Sequence, residues 1–182
     1  MKKNLFKNFL ILSICFLLSA CGGGLSAGLE AYQSPDGRYG FFYPTGWTRV
    51  KVDGGPEIIY HYLINSNETL SLVISDVNKD VELDQLGTPS EVGQTLINKV
   101  IAPEGSGRSV KLINANQRED EKHVFYDLEY ELNLNEQDRH ELATVVIDRG
   151  ILYTFAVGTN EERWNKVEKM FKNVIESFNF LI

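Results

Sequence analysis

The chain has 182 residues, of which 43% are hydrophobic and 24% charged, a balance typical of one folded domain and not of a disordered chain. This length excludes a large multidomain enzyme. The 25 acidic residues outnumber the 18 basic ones, which gives a net charge of −7. Binding of nucleic acid needs a basic face for the phosphates, so we expect no nucleic-acid partner.

The first 20 residues have the pattern of a secretory signal peptide. Lysines 2, 3 and 7 form a basic start, the apolar run Phe9–Leu18 follows, and small residues come next. This run is too short to cross a bilayer as a helix, which takes about 20 residues. We therefore predict that residues 1–20 are removed, which leaves 15 basic against 25 acidic residues and a net charge of −10.

The cysteine that follows the signal makes its type more specific. Leu18-Ser19-Ala20-Cys21 resembles the lipobox of bacterial lipoproteins, in which the cysteine is acylated and becomes the new N-terminus. Three glycines come next, and we predict a lipidated flexible linker over residues 21–33. Two or three acyl chains are enough for stable membrane anchoring. The alternative is an ordinary cleaved signal with a chance cysteine.

The first part of the folded domain is predicted to be made of short strands. Aromatic residues alternate from Tyr39 to Tyr43, and turn signals stand at Pro44–Gly46 and Asn65–Asn67. The first two strands are expected to be antiparallel. The predicted strands cover residues 39–43, 47–52, 58–64 and 70–77.

Two helices are predicted from capping signals and helical spacing. Thr88-Pro89-Ser90-Glu91 forms a capping box at the start of a helix over about residues 88–102. A second capping box, Thr159 with Glu162, precedes a helix over about residues 160–178. Its apolar residues recur on one face, so this helix is expected to lie against a sheet.

The strongest strand signal runs over residues 123–134, with apolar side chains on one face and Asp127, Glu129 and Glu131 on the other. Strands over 139–148 and 151–157 should continue it as a meander, with 109–115 pairing on its other side. An antiparallel sheet combined with two helices predicts an α+β sandwich as one domain over residues 34–182.

Few residues suggest catalysis or metal binding. Cys15 lies within the signal and Cys21 precedes the folded domain, so the folded domain has no cysteine for a disulfide or a thiolate. Its histidines, His61, His123 and His140, do not form a standard zinc motif. The acidic row on the long strand could hold a hard cation, although such a row is more often a solvated face. A hydrolase site assembled from a histidine and a distant hydroxyl remains the weakest alternative.

Three segments resemble the PsbP family: Gly40–Trp47 (GFFYPTGW), Leu86–Glu91 (LGTPSE) and Arg139–Trp164. The similarity runs in order from about Tyr32 to Phe180. With the lipobox included, the chain resembles the cyanobacterial lipoprotein branch of the family. The resemblance implies an α/β/α sandwich around a central antiparallel sheet. It also implies a protein without enzymatic activity, associated with photosystem II and lipid-anchored on the lumenal side of the thylakoid membrane.

The resemblance also points to one site and leaves two functions open. In the family, the histidine of an Arg/Lys-His-x-Leu strand lies near an acidic residue, a pair linked to cation binding and docking. Here these positions are His140 and Glu161. The first function is an accessory or assembly and repair factor that docks to reaction-centre subunits. The alternative is a module that binds zinc, manganese or calcium in support of the oxygen-evolving complex.

This sequence departs from the plant members of the family. Those members dock through lysines and an extended N-terminal segment, whereas this domain is acidic and begins with a short glycine linker. Retention of calcium and chloride by the plant route is therefore not expected, and no cofactor is predicted to be required. The resemblance does not assign the docking surface.

Overall fold

The structure is a computed structural model that describes residues 28–134 and 137–181, so the predicted signal peptide and Cys21 lie outside the described residues. Within these ranges the chain forms two antiparallel sheets and two α-helices, which confirms the predicted α+β fold. The strands are β1 (Leu29–Gln33), β2 (Tyr39–Pro44), β3 (Trp47–Val50), β4 (Ile58–Tyr62), β5 (Asn65–Asp76), β6 (Ser109–Glu119), β7 (Val124–Asn133), β8 (Asp138–Asp148), β9 (Ile151–Asn160) and β10 (Asn179–Phe180). The helices are α1 (Pro89–Leu96), which continues as a π-turn over Ile97–Ile101, and α2 (Glu161–Glu176), with a short 3₁₀ helix at Leu83–Leu86.

The large sheet has seven strands in the order β3-β4-β5-β9-β8-β7-β6, and the small sheet has the order β1-β2-β10. One face of the large sheet is covered by α2 and the small sheet, with Phe155, Phe171 and Phe178 fully buried between them. On the other face, α1 and the 3₁₀ helix cover the β6–β8 half, over a second buried cluster that includes Tyr126 and Tyr130. The large sheet therefore has an apolar layer on each face, which is the arrangement of the predicted sandwich.

The first predicted helix and the meander are confirmed. Thr88 and Glu91 form the capping box at the start of α1: the Thr88 N–H donates to the Glu91 carboxylate at 2.8 Å, and this bond lowers the pKa of Glu91. The predicted apolar face of β7 is buried beneath α1, because Tyr126, Leu128 and Tyr130 are each at most 2% exposed.

The boundary predicted between the linker and the domain is wrong, because Leu29–Gln33 forms β1 inside the segment expected to be linker. The two half-buried residues of β1, Leu29 and Tyr32, are three positions apart, so the segment lacks the alternation that identifies a strand. Tyr32 is held by stacking on Phe41 of β2, with ring centroids 4.7 Å apart. The strand is thus stabilised by a neighbouring strand and not by its own pattern.

The first two predicted strands do not pair with each other. β2 lies in the small sheet between β1 and β10, whereas β3 pairs with β4 in the large sheet. Gly46, with φ +83°, lets the short connection turn from one sheet to the other. Tyr39 and Phe41 on β2 and Trp47 on β3 therefore reach the same core from different layers.

Two predicted local signals are also corrected. The turn between β4 and β5 lies at Leu63–Ile64 and not at Asn65–Asn67, since Tyr62 pairs with Asn65. The second capping box is not formed: β9 continues through Asn160, which is the N-cap of α2. Thr159 is fully buried in β9, and its hydroxyl makes no hydrogen bond within the described part of the chain.

Candidate functional site around His140

The two site residues implied by the resemblance, His140 and Glu161, lie in contact. His140 is near the start of β8 and pairs with Thr159 of β9, and α2 begins directly after β9 with Glu161. The short connection between β9 and α2 therefore places the first turn of the helix beside the histidine ring. The Glu161 Oε2 atom lies 3.0 Å from Nδ1 of His140.

A second carboxylate occupies the other side of the ring. The Glu129 Oε1 atom, from β7, lies 2.9 Å from Nε2 of His140. The His140 residue is 4% exposed, whereas the side chain of Glu161 is 43% exposed and that of Glu129 17%. A ring with both nitrogens protonated donates to both carboxylates at once, whereas a neutral ring donates to only one of them.

Trp164 forms the floor of the site. Its ring stacks on the His140 ring with centroids 3.8 Å apart and an angle of 8° between the planes. Trp164 is three residues after Glu161, so both side chains lie on the same face of α2. The two α2 residues hold the imidazole from its edge and from its face, which leaves the ring little freedom to reorient.

Arg139 and Arg163 hold the neighbouring part of β5 against the site. The Arg163 guanidinium donates to Glu68 through Nε at 2.6 Å and forms an ion pair with the same carboxylate oxygen through Nη2 at 2.5 Å, and Glu68 is only 2% exposed. Arg139 donates to the carbonyl oxygen of Asn67 at 2.5 Å and to the Thr69 hydroxyl. Sequence reasoning did not find this pair of contacts, since each joins residues that are about 70 or more positions apart.

An open cleft of ≈ 420 Å³ adjoins the site. Glu161 belongs both to this cleft and to the histidine cluster, so it connects the buried ring with the surface. Both signs of charge line the cleft, and its charged residues are Lys111, Glu131, Asp138, Arg139 and Glu161. Such a mixed surface is suited to polar contacts with a partner.

The arrangement does not fit a metal ion held by His140 and Glu161. No three histidine, cysteine, aspartate or glutamate side chains within residues 28–134 and 137–181 are grouped so that they could hold one. The two carboxylates bind opposite nitrogens of the ring, and so they do not converge on one point. In the acidic row of β7, Asp127 is paired with Arg118 at 2.8 Å and Glu131 with Lys111 at 3.7 Å. Cation binding therefore needs a different arrangement of these side chains.

His123 lies in a separate cluster at the start of β7. Its Nδ1 is 3.3 Å from Asp120, and its Nε2 is 3.2 Å from Asp148. Burial alone would raise the pKa of Asp120, but the N–H groups of Lys122 and His123 outweigh burial and hold it below its usual range. The ring nitrogens of His123 and His140 thus face carboxylates, and the described hydrogen bonds join neither ring to a serine or threonine hydroxyl.

None of the helices in the described ranges is both long enough and apolar enough to span a bilayer. The fold and the site together define an α/β/α sandwich domain with a histidine held between two carboxylates beside an open, charged cleft.

Comparisons with known proteins agree with this class. The family model described as PsbP matches residues 27–180. The chain is 40% identical to CyanoP of Thermosynechococcus vestitus over 86% of its length and 89% of the relative's, and 38% identical to CyanoP of Synechocystis over 92% of each chain. The solution structure of the Synechocystis CyanoP superposes with a TM-score of 0.73, covering 90% of this chain and 98% of that one. The chain therefore belongs to the PsbP family, as the resemblance predicted, and is similar to its cyanobacterial CyanoP members.

Proposed function

We propose that the protein is a lumenal accessory or assembly and repair factor of photosystem II that works by docking to reaction-centre subunits. The observation that carries this proposal is the family match over nearly the whole domain, together with the similarity to two CyanoP proteins at 38–40% identity. In this proposal acylation of Cys21 holds the domain at the lumenal face of the thylakoid membrane. The tether raises the effective concentration of the domain near the complex.

The geometry of the site favours binding over catalysis. Both nitrogens of the buried His140 ring are engaged by carboxylates, and Trp164 covers one face of the ring. A general base must instead reach the group from which it takes a proton. Glu161, which is half-exposed at the edge of the cleft, is the member of the cluster that a partner can contact. We assign it to the docking surface, where it would accept hydrogen bonds from basic or amide groups.

Affinity purification tests the proposed function. A tagged chain recovered from detergent-solubilised thylakoids should bring reaction-centre subunits of photosystem II with it. Glu161→Ala should reduce that recovery about fivefold, because a partly exposed ion pair contributes up to about 1 kcal/mol. The matched control is Glu162→Ala, which removes an equal charge from the next, exposed position of α2. Recovery of no photosystem II subunit by the unmodified chain would refute the proposal.

A divalent-cation-binding module is the second candidate, favoured by the contact between His140 and Glu161. The opposed carboxylates count against it in the arrangement described above. Titration calorimetry with zinc, manganese and calcium separates the candidates. We expect dissociation constants no tighter than about 1 mM, the weak end of known calcium modules. A micromolar constant that is lost in Glu161→Gln would instead establish cation binding.

A further inference from the structure

The turn between β4 and β5 exposes two large apolar side chains at its tip. Leu63 is 67% exposed and Ile64 is 84% exposed, more than any other large hydrophobic residue in the described ranges. Two-residue hairpin turns usually carry asparagine, aspartate or glycine, which are also well solvated. Polar residues stand directly after this turn, at Asn65–Asn67, yet they lie in β5. Neither the turn geometry nor solubility requires leucine and isoleucine here.

The tip is held in place by a bulge. β4 pairs His61 with Thr69 and then Tyr62 with Asn65, so Ser66, Asn67 and Glu68 have no counterparts on β4. Such insertions re-aim the end of a strand and increase its twist. The contacts from Arg139 and Arg163 fix this bulge through Asn67 and Glu68, and the Asn65 amide donates to Glu68 at 3.3 Å. The structure therefore presents the apolar tip in a defined direction.

The tip lies at the end of the domain where the chain enters. The Thr45 N–H donates to the Gly28 carbonyl oxygen at 2.9 Å, and Trp47, two residues later, pairs with Tyr62 beside the turn. Six residues, 22–27, lie between Gly28 and the proposed acylated cysteine, Cys21. The seven Cα–Cα steps from Cys21 to Gly28 span about 25 Å at most. The chain thus enters the domain at the end that carries the tip, with the proposed acylated cysteine within this distance of Gly28.

The opposite end of β4 has a different character. There the β3–β4 connection carries Lys51, Asp53 and Glu57, all exposed. The apolar turn therefore lies at the Gly28 end of β4, and the charged connection lies at the other end. Its net charge of −10 after removal of the signal repels anionic lipids, so apolar burial and not charge attraction has to orient it.

We propose that Leu63 and Ile64 insert into the lumenal lipid leaflet and orient the domain on the membrane surface. This inference rests on the acyl anchor of the proposed function, but it does not require photosystem II. Insertion would extend about 5–10 Å into the boundary between head groups and acyl chains. The cleft beside His140 would then be held at a set height and direction above the bilayer.

The test uses the acylated mature chain, in which a single introduced cysteine is the only free thiol. An environment-sensitive fluorophore is attached to Ile64→Cys, and the chain is reconstituted into protein-free vesicles of galactolipid and phosphatidylglycerol. The matched control is Asp53→Cys, an exposed turn position at the other end of the same strand. We expect a blue-shifted emission that is quenched by nitroxide lipids at Ile64→Cys and neither effect at Asp53→Cys.

Further variants and outcomes make the result decisive. Leu63→Ser in the Ile64→Cys background should lose the blue shift. In the labelled Ile64→Cys chain with Leu63 intact, raised salt should leave the blue shift unchanged. A label that stays aqueous while the chain remains on the vesicles overturns the inference and leaves photosystem II docking intact. A blue shift that appears only after photosystem II is added also overturns it. A chain that does not bind vesicles overturns both the inference and the anchor.

Discussion

Replacing Arg163 with alanine should lower the free energy of unfolding by about 3 kcal/mol. The physical reason is that Glu68 is 2% exposed and its carboxylate is paired with Arg163, through a hydrogen bond from Nε and an ion-pair contact with Nη2. Without the guanidinium, the Glu68 carboxylate would remain buried with only the Asn65 amide as a side-chain donor. Breaking a buried pair costs about 3–5 kcal/mol, and the side chain of Arg163 is itself 38% exposed, which favours the lower value. Urea denaturation followed by circular dichroism measures the loss.

Two controls show whether the unpaired buried charge of Glu68 causes the loss of stability in Arg163→Ala. Lys172→Ala on the same helix removes an exposed ion pair with Glu168 and should cost less than about 0.5 kcal/mol. Adding Glu68→Gln to Arg163→Ala removes the unpaired charge and should restore part of the stability. If Arg163→Ala unfolds at the same urea concentration as the unmodified chain, this ion pair does not stabilise the fold.

Replacing Phe171 with alanine should cost about 4 kcal/mol, the largest effect that we expect from one substitution. Phe171 is fully buried on α2 and packs edge-on against Trp47, with ring centroids 5.9 Å apart. Its centroid is 6.4 Å from that of Trp164, the floor of the histidine site. The loss combines the transfer free energy of the ring with the cavity that remains. Differential scanning calorimetry should record a markedly lower melting temperature.

The Phe171→Ala substitution also tests whether packing in the core affects the His140 site. Lys169→Ala, at an exposed position of α2, is the matched control and should change the stability by less than about 0.5 kcal/mol. With Phe171 shortened, Trp164 loses a packing partner, so the NMR signals of the His140 ring, which stacks on Trp164, should shift. Equal stabilities for the two variants would show that α2 is not anchored through this ring.

Strand and helix patterns in the sequence were sufficient to predict most of the fold. The alternation along β7, the capping box at Thr88 and the apolar face of α2 each reflect one layer of packing, and each is confirmed. The predictions that were wrong concern residues whose packing against other strands or layers overrides the local pattern. β1 is stabilised by Phe41 and by core contacts instead of its own alternation, and Thr159 is buried although its spacing suggests a cap.

The residues of the His140 site also divide into those identified from the sequence and one whose role only the structure shows. His140 and Glu161 were identified through the family resemblance, and the structure places them 3.0 Å apart. Glu129 was recognised only as part of an acidic row, and its position on Nε2 of His140 depends on the register between β7 and β8. That register pairs Glu131 with His140 and puts Glu129 two residues further along the same face. Strand register could have suggested this contact, but it is not encoded in either strand alone.

The turn at Leu63–Ile64 illustrates why local signals mislead. Asn65–Asn67 has the composition of a turn, yet these residues lie in β5, where two arginines from β8 and α2 contact Asn67 and Glu68. The turn begins two residues earlier, at the apolar side chains of Leu63 and Ile64. A sequence window around the turn contains neither arginine.

The amino-acid sequence by itself determined the export signal pattern, the acidic charge balance, the α+β sandwich and, through resemblance, the family. These properties depend on composition or on contacts between residues close in the chain. They can therefore be recognised from residue counts and from the spacing of residues along the sequence. Tertiary structure alone decided the split of β2 and β3 between two sheets, the pairing of Glu68 with Arg163 and the enclosure of His140 by Glu129. Each of these depends on partners brought together by strand register and layer packing, which no local pattern records.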